Sequence, residues 1–215
     1  METNELIRRL SRDVPPVRRL LPWNARFSMW LAFALSWAAL GVTWVGWRPD
    51  RGKALADPHF LVLGGLMLAT AILSGLTAFR LSVPGVESSR WHRWLPGATA
   101  IAWIGILIVE LWLAYHQQGL AALDPGNKHR CVYVFAGLGL GPGLGMALMI
   151  RQAASLEKRW NGMFLALASA SVAALGVSFF CTFEQPAHVL VYHIMPVVVF
   201  TLAGFWLGDR WLSAR

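Results

Sequence analysis

Residues Phe60–Phe79 read FLVLGGLMLATAILSGLTAF, a run of 20 residues without a charged side chain. A helix of this length is about 30 Å long, which matches the hydrocarbon core of a bilayer. Apolar and polar residues do not alternate along the run, as they do in the strands of a membrane β-barrel. Because backbone polar groups in lipid must pair within their own segment, the run predicts a transmembrane helix.

Five further runs of similar length predict the same structure. They dominate the composition of the 215-residue chain, which is 56% hydrophobic and 14% charged. A soluble domain has about 25% charged residues, so the composition excludes an ordinary soluble enzyme, a disordered regulator and a secreted disulfide scaffold. We expect an all-α integral membrane protein, a bundle of six transmembrane helices. The predicted spans are Phe27–Trp47, Phe60–Phe79, Leu95–Tyr115, Cys131–Ile150, Gly162–Cys181 and His188–Leu207.

The distribution of Lys and Arg predicts the orientation of the bundle. Fourteen of the 19 basic residues lie in the N-terminal segment, the second and fourth connections and the C-terminus, and five lie in the first and third connections. Cytoplasmic connections carry the excess of positive charge, so we expect a multi-pass membrane protein with both termini cytoplasmic. The basic residues lie between apolar runs rather than on one face of a soluble fold, which argues against direct binding of nucleic acid.

The only two cysteines fall at the predicted outer boundary. Cys131 and Cys181 each lie 25 residues from the centre of the connection between the fourth and fifth runs, so an antiparallel helical hairpin brings both thiols to one height. Packed helices lie about 8–10 Å apart and a disulfide needs Cα atoms about 4.4–6.8 Å apart, so a bridge requires that the residues face each other. We interpret the pair as a sensory or redox site; the alternative is two small packing residues.

Imidazoles and one carboxylate accompany the cysteines at this boundary. Two thiols with nearby imidazoles suit a soft heavy or transition metal ion, which would be a signal rather than a resident cofactor. The chain has no CxxC motif, so the pattern leaves metal ligation and oxidation both open. The candidate metal ligands are Cys131, Cys181, His129, Glu184, His188 and His193.

Two features within the runs favour structural roles. Glu110 is the only acidic residue deep in a run, and we interpret it as structural or as a modest pKa switch within reach of water or of His116. Glycines alternate from Gly137 to Gly145 around Pro142, which favours close helix packing. A kink at Pro142 is a candidate hinge.

The segment before the first run has helical periodicity. Leu6, Ile7, Leu10 and Val14 repeat at helical spacing among basic residues, and Pro15 and its neighbouring proline end the pattern. A second short basic and apolar piece follows. A short amphipathic helix is unstable alone in water, so this segment should bind either anionic lipid or a partner protein.

These motifs resemble the NrsF family of negative regulators of sigma F, which are six-span membrane anti-sigma factors. The resemblance covers the whole chain and is most specific in Cys181–Leu190, CTFEQPAHVL, with the following Tyr192 and His193. Tyr192 stands where the family tends to have Trp. Further matching motifs are Leu6-Ile7 with Leu10, Pro16-Val17-Arg18-Arg19-Leu20, and Gly141-Pro142.

The resemblance implies a non-enzymatic regulator with two parts. Residues 1–26 would form a cytoplasmic segment that binds an extracytoplasmic-function sigma factor, and residues 27–215 a six-helix transmembrane sensor domain. The sensor cysteines would be Cys131 and Cys181, which release the sigma factor when a periplasmic metal or oxidant acts on them. The implied sigma-binding residues are Leu6, Ile7, Leu10, Val14, Val17, Arg18, Arg19 and Leu20.

Two other functions stay open from the residues alone. A membrane thiol oxidoreductase that passes electrons to a quinone normally has a reactive CxxC and a second cysteine pair. A small metal or solute transporter normally has more polar groups at mid-depth.

Overall fold

The computed structural model describes residues 3–12, 19–85, 90–126, 129–153 and 155–212, and in this part of the chain all regular structure is helical. A 3-10 turn, Gly119–Leu123, follows the fifth of the helices named below, and a π turn, Leu190–Ile194, precedes the last. The helices are α1 (Thr3–Arg12), α2 (Trp23–Val45), α3 (Arg51–Ala56), α4 (Pro58–Leu81), α5 (Arg90–Gln118), α6 (Arg130–Arg151), α7 (Lys158–Ser178), α8 (Pro186–Val189) and α9 (Met195–Trp211).

Six helical segments are long and apolar enough to cross a membrane, as the sequence predicts. They are α2, α4, α5, α6, α7 and the continuous unit of α8, the π turn and α9. The first begins at Trp23, so the last residues of the predicted cytoplasmic segment extend the spanning helix. The fifth ends at Ser178 rather than at Cys181, so this cysteine lies just beyond the helix.

The bundle has two distinct ends. Consecutive long helices are joined by short connections, so residues 46–57, 119–126 and 179–185 lie at one end, called here the distal end. Residues 19–22, 82–85, 155–157 and 212 lie at the opposite end, called here the terminal end. The N-terminal segment therefore joins the bundle at the end opposite to the connections that flank both cysteines.

Helix α7 is the centre of the bundle. It packs against α2, α4, α6 and α9, and most of its side chains are buried. Its middle, Ala166–Ala174, consists mainly of alanine and serine, and such small side chains let neighbouring backbones approach closely. The larger side chains of the core come from the surrounding helices, among them Trp30, Phe79 and Trp103.

The closest approach joins α7 and α9 through glycine. A Cβ atom added to Gly162 would overlap the carbonyl oxygen of Gly204, and one added to Gly208 would overlap the carbonyl oxygen of Lys158. Gly204 and Gly208 are four residues apart, as are Gly162 and Ala166, so both helices present small residues one turn apart. The two backbones are in direct contact, and no larger side chain fits between them.

The glycine run of α6 serves close packing, as expected. Gly141 lies against the indole of Trp37 on α2, and Gly139 lies against Ala173 on α7. The Trp37 indole donates a hydrogen bond of 3.0 Å to the Gly137 carbonyl, and the Trp30 indole donates one of 3.0 Å to the Pro142 carbonyl. Helix α6 continues through Pro142, so the hinge stays a prediction.

We expect Gly204→Leu to destabilise the bundle, because the side chain would force α7 and α9 apart. Overpacking of a well-packed core typically costs about 1–3 kcal/mol. Gly65→Leu on α4 is the matched control, since no atom lies within 4 Å of a Cβ added there. Thermal unfolding of the two variants in detergent gives the comparison; equal midpoints would show that the glycine contact does not hold the helices together.

Candidate functional site

The two cysteines face each other at the distal end. Cys131 lies in the first turn of α6, and Cys181 lies three residues after the end of α7. Their sulfur atoms are 3.5 Å apart. The helical hairpin therefore places both thiols at one height, as the equal number of residues from each cysteine to the centre of the connection predicts. His188 Nε2 lies 3.4 Å from the sulfur of Cys181 and 3.7 Å from that of Cys131. All three side chains are buried.

His193 completes this group, and the four residues are called here the Cys–His cluster. Their candidate ligand atoms all lie within 4.8 Å of one another. Residues five positions apart on an α-helix point about 140° away from each other, which would separate His188 from His193. The π turn Leu190–Ile194 adds about one residue to the helical turn and reduces this angle to about 50°.

The π turn has a cause in the sequence. The amide of Met195 donates to the carbonyl of Leu190, five residues earlier, instead of four. Pro196 follows directly and has no amide hydrogen with which to continue the α-helical pattern. A proline near the start of α9 thus accompanies the change of register that turns His193 towards the cysteines.

His188 is held in one orientation by the connection before α6. Its Nδ1 lies 3.0 Å from the carbonyl oxygen of Pro125, an arrangement in which Nδ1 carries the proton and donates it. Nε2 then has a free lone pair directed at the two sulfurs. The hydroxyl of Tyr192 donates to the neighbouring carbonyl of Gly126 at 2.8 Å, an interaction that depends on Tyr at this position.

His193 is buried without a hydrogen bond. Its side chain is 2% exposed, and neither ring nitrogen has a hydrogen-bond partner among the described residues. A buried polar group left unsatisfied costs about 1–3 kcal/mol, and a bound metal ion would remove this cost. The Cys131 thiol, and then the nearby His193 imidazole, which lies beyond hydrogen-bond geometry, lower the pKa of the Cys181 thiol below its ordinary value, which favours the thiolate that a metal requires.

The separations among Cys131, Cys181 and His188 fit one face of a tetrahedral metal site. With metal–sulfur bonds of about 2.3 Å and metal–nitrogen bonds of about 2.0–2.1 Å, tetrahedral ligands lie about 3.8 Å apart for two sulfurs and about 3.6 Å apart for sulfur and nitrogen. The measured separations are 3.5 Å, 3.4 Å and 3.7 Å. A disulfide would require the sulfurs to close to about 2.05 Å. Cys131, Cys181 and His188 therefore have the spacing of three metal ligands, and the candidate ligand atom of His193 lies within 4.8 Å of theirs.

Two of the predicted ligands lie outside the Cys–His cluster. Glu184 binds Arg48 instead, with an Oε1–Nη2 distance of 2.6 Å. The same guanidinium is nearly fully buried, donates two hydrogen bonds of 2.8 Å to Asp50 and lowers the pKa of that carboxyl to about 2. His129 is exposed, and its ring packs edge-on against Tyr192. Glu184 and His129 thus lie at the same end of the bundle as the Cys–His cluster, but their side chains contact other residues.

Glu110 has a partner that the sequence analysis missed. Its carboxylate pairs with Nε2 of His59, at the start of α4, rather than with His116. The ring of His116 instead packs against Trp112, with centroids 4.5 Å apart. His59 directly precedes the second predicted run and Glu110 lies near the outer end of the third, so their shared height was a signal for this pair.

The predicted sigma-binding residues are exposed wherever the structure describes them. Leu6, Ile7 and Leu10 lie on one side of α1 and are exposed to solvent. Arg19 and Leu20, just before α2, are exposed as well. The remaining predicted residues, Val14, Val17 and Arg18, lie outside the described residues.

The family model described as negative regulator of sigma F, NrsF, matches residues 10–213. The match covers nearly the whole chain, with the six candidate spans and all four residues of the Cys–His cluster, and it confirms the family resemblance; Leu6 and Ile7 lie before the matched range. No curated protein and no solved structure gives a significant match.

We expect the full-length protein in detergent to bind one Cd²⁺ per chain at the Cys–His cluster. Loss of a residue that hydrogen-bonds a metal ligand typically lowers metal affinity by about 10–100-fold, and loss of the ligand itself should lower it at least as much. His193→Ala should therefore weaken Cd²⁺ binding by at least about tenfold. His129→Ala is the matched control, because that imidazole lies at the same end but outside the cluster. Titration followed by the sulfur-to-cadmium absorbance band measures both. Equal affinity of the two variants would remove His193 from the site.

Proposed function

We propose that this chain, which belongs to the NrsF family of negative regulators of sigma F, is a membrane-bound anti-sigma factor for an extracytoplasmic-function sigma factor. In this proposal it resides in the bacterial inner membrane with both termini in the cytoplasm. The N-terminal segment holds the sigma factor, and the Cys–His cluster receives a periplasmic signal, either a metal ion or an oxidant. The observation that carries the proposal is the placement of two candidate sites at opposite ends of one bundle.

The N-terminal segment has the surface that such a partner would bind. Leu6, Ile7 and Leu10 of α1 are 41%, 58% and 67% exposed, which is unusual for three large apolar side chains on one face of a helix. An amphipathic helix of this kind binds a groove through anchors spaced three and four residues apart. Burial of each side chain contributes about 1.5–3 kcal/mol.

The Cys–His cluster is suited to switching because a ligand there can supply enough free energy. Changing the released fraction from about 1% to about 99% requires that the signal favour one state by about 5.5 kcal/mol. Structural thiolate sites bind metal with about 10–16 kcal/mol, whereas a disulfide contributes about 2–4 kcal/mol. Together with the tetrahedral distances, this comparison favours a metal ion as the signal.

We expect Leu10→Asp to release the sigma factor, because it removes an apolar anchor and would bury an unpaired carboxylate in the complex. Co-purification should fall by about tenfold or more, and expression of the regulon should become constitutive while membrane insertion stays normal. Ser11→Asp adds the same charge at the next position, at the edge of the apolar face and one turn from Ile7, and should weaken co-purification much less than Leu10→Asp. Full retention by Leu10→Asp would leave the segment as a lipid anchor.

We expect Cys131→Ser and Cys181→Ser each to abolish induction while sigma-factor binding stays intact. The double variant should be no worse than either single one, because the two thiols act as a unit. His129→Ala should respond normally. Reporter expression before and after the stimulus, together with the mass shifts of thiol alkylation, separates metal ligation from oxidation. Normal induction in the double variant would leave the cysteines as packing residues.

A further inference from the structure

We propose that a pocket at the distal end is the route by which a metal cation reaches the Cys–His cluster, and that Glu110 with His59 forms its outer binding station. The inference rests on the proposed function in one respect, namely that the cluster takes up a metal ion. It assigns a role to polar residues that the anti-sigma mechanism does not use.

The pocket lies between α4, α5 and the connection that follows α7. Its polar lining includes Arg48, Asp57, His59, Glu110 and Glu184, and its floor is apolar. Two members of the Cys–His cluster, Cys181 and His193, line the same pocket, so it joins the polar residues at the distal end to the cluster. Cys131 and His188 are not part of the lining.

The charges of the pocket favour a cation. Three carboxylates face it, from Asp57, Glu110 and Glu184, against the single guanidinium of Arg48. That guanidinium is already engaged by Asp50 and Glu184, so it offers little to an anion. The lining therefore keeps a net negative charge, from Asp57 and Glu110, after Arg48 and Glu184 neutralise each other. A cleft with a net charge and walls of low dielectric concentrates ions of the opposite sign.

His193 shows that the inner end of the pocket is prepared for a ligand. It is buried to 98% and lines the pocket, and neither of its ring nitrogens has a hydrogen-bond partner in the described part of the chain. A cation that enters would therefore find a free imidazole nitrogen beside the Cys181 sulfur. Cys131 would complete the site from the other side.

Glu110 and His59 are placed to take up the ion first. Their side chains are 28% and 50% exposed, and the carboxylate and imidazole are in direct contact. Carboxylates and imidazoles both ligate metal ions, so Glu110 and His59 can release each other and bind an incoming ion instead. Loss of the Glu110 charge should slow the arrival of a cation at the cluster without changing the amount that binds at equilibrium.

The first test uses charged thiol reagents on the full-length Cys131→Ser protein, which keeps Cys181. We expect a cationic methanethiosulfonate to modify Cys181 faster than an anionic one of similar size. Glu110→Gln should lower the ratio of the two rates by about fivefold, the effect of one charge at about 10 Å in a partly screened site, and added salt should weaken the preference. Asp124→Asn is the matched control, because it removes one charge at the distal end outside the pocket and should leave the ratio unchanged.

The second test measures the binding of Cd²⁺ to the protein with both cysteines by stopped-flow absorbance. We expect Glu110→Gln to bind several-fold more slowly and to reach the same final amplitude. A reduced amplitude at unchanged rate would make Glu110 part of the cluster or of its support, and would overturn the route. Equal rates of the two charged reagents, or equal effects of Glu110→Gln and Asp124→Asn, would overturn it as well.

The two proposals fail in different ways. If the cluster binds Cd²⁺ and the cysteines are required for induction, but Cys181 shows no preference for a cation, the route fails and the proposed function stands. If the wild-type protein binds no Cd²⁺, the assignment of the Cys–His cluster as a metal site fails, and the proposed route fails with it.

Discussion

The backbone contact between α7 and α9 is the constraint on which the rest of the structure depends. At Gly162, Gly204 and Gly208 the two helices touch through main-chain atoms, which cannot change rotamer to accommodate a shift. Cys181 lies just beyond the distal end of α7, and the chain returns through His188 and His193 before α9 begins. The crossing near the terminal end therefore sets where the thiol and the two imidazoles meet at the distal end.

The cluster also requires a departure from regular helix geometry. A regular α-helix would direct His193 away from His188, and the π turn before Met195 brings the two imidazoles to one side. The neighbouring contacts hold this turn in place: His188 binds the carbonyl of Pro125, and the hydroxyl of Tyr192 binds that of Gly126. These bonds join the start of the last span to the connection before α6. The His188 ring, which faces the sulfurs, cannot turn without breaking its bond to the Pro125 carbonyl.

The sequence predicts heights along the bundle well, because height depends only on counting residues along apolar runs. The six spans and the equal height of Cys131 and Cys181 follow from such counts. The direction of a side chain around its helix depends on tertiary contacts that no count contains. Glu184 and His129 have the height of the cluster, yet Arg48 binds the first and the second packs against Tyr192. The pairing of Glu110 with His59 was missed for the same reason, although both residues lie near the distal end.

The described residues add no feature specific to the two other functions that the residues left open. A thiol oxidoreductase must pass its electrons on, and a chain with two cysteines can form one disulfide but has no second pair as a relay. A transporter needs a polar path beyond its binding site. In the described part of the bundle, the buried polar side chains of α4 and α7 between the cluster and the terminal end, such as Thr70, Ser74 and Ser171, are hydroxyls rather than ionisable groups. At the terminal end the buried Arg26 is held by the Met149 carbonyl and by Ser82. Among the described residues of α4 and α7 no ionisable side chain is buried beyond the cluster. In the proposed function, a ligand bound at the cluster would therefore act by favouring one conformation over another.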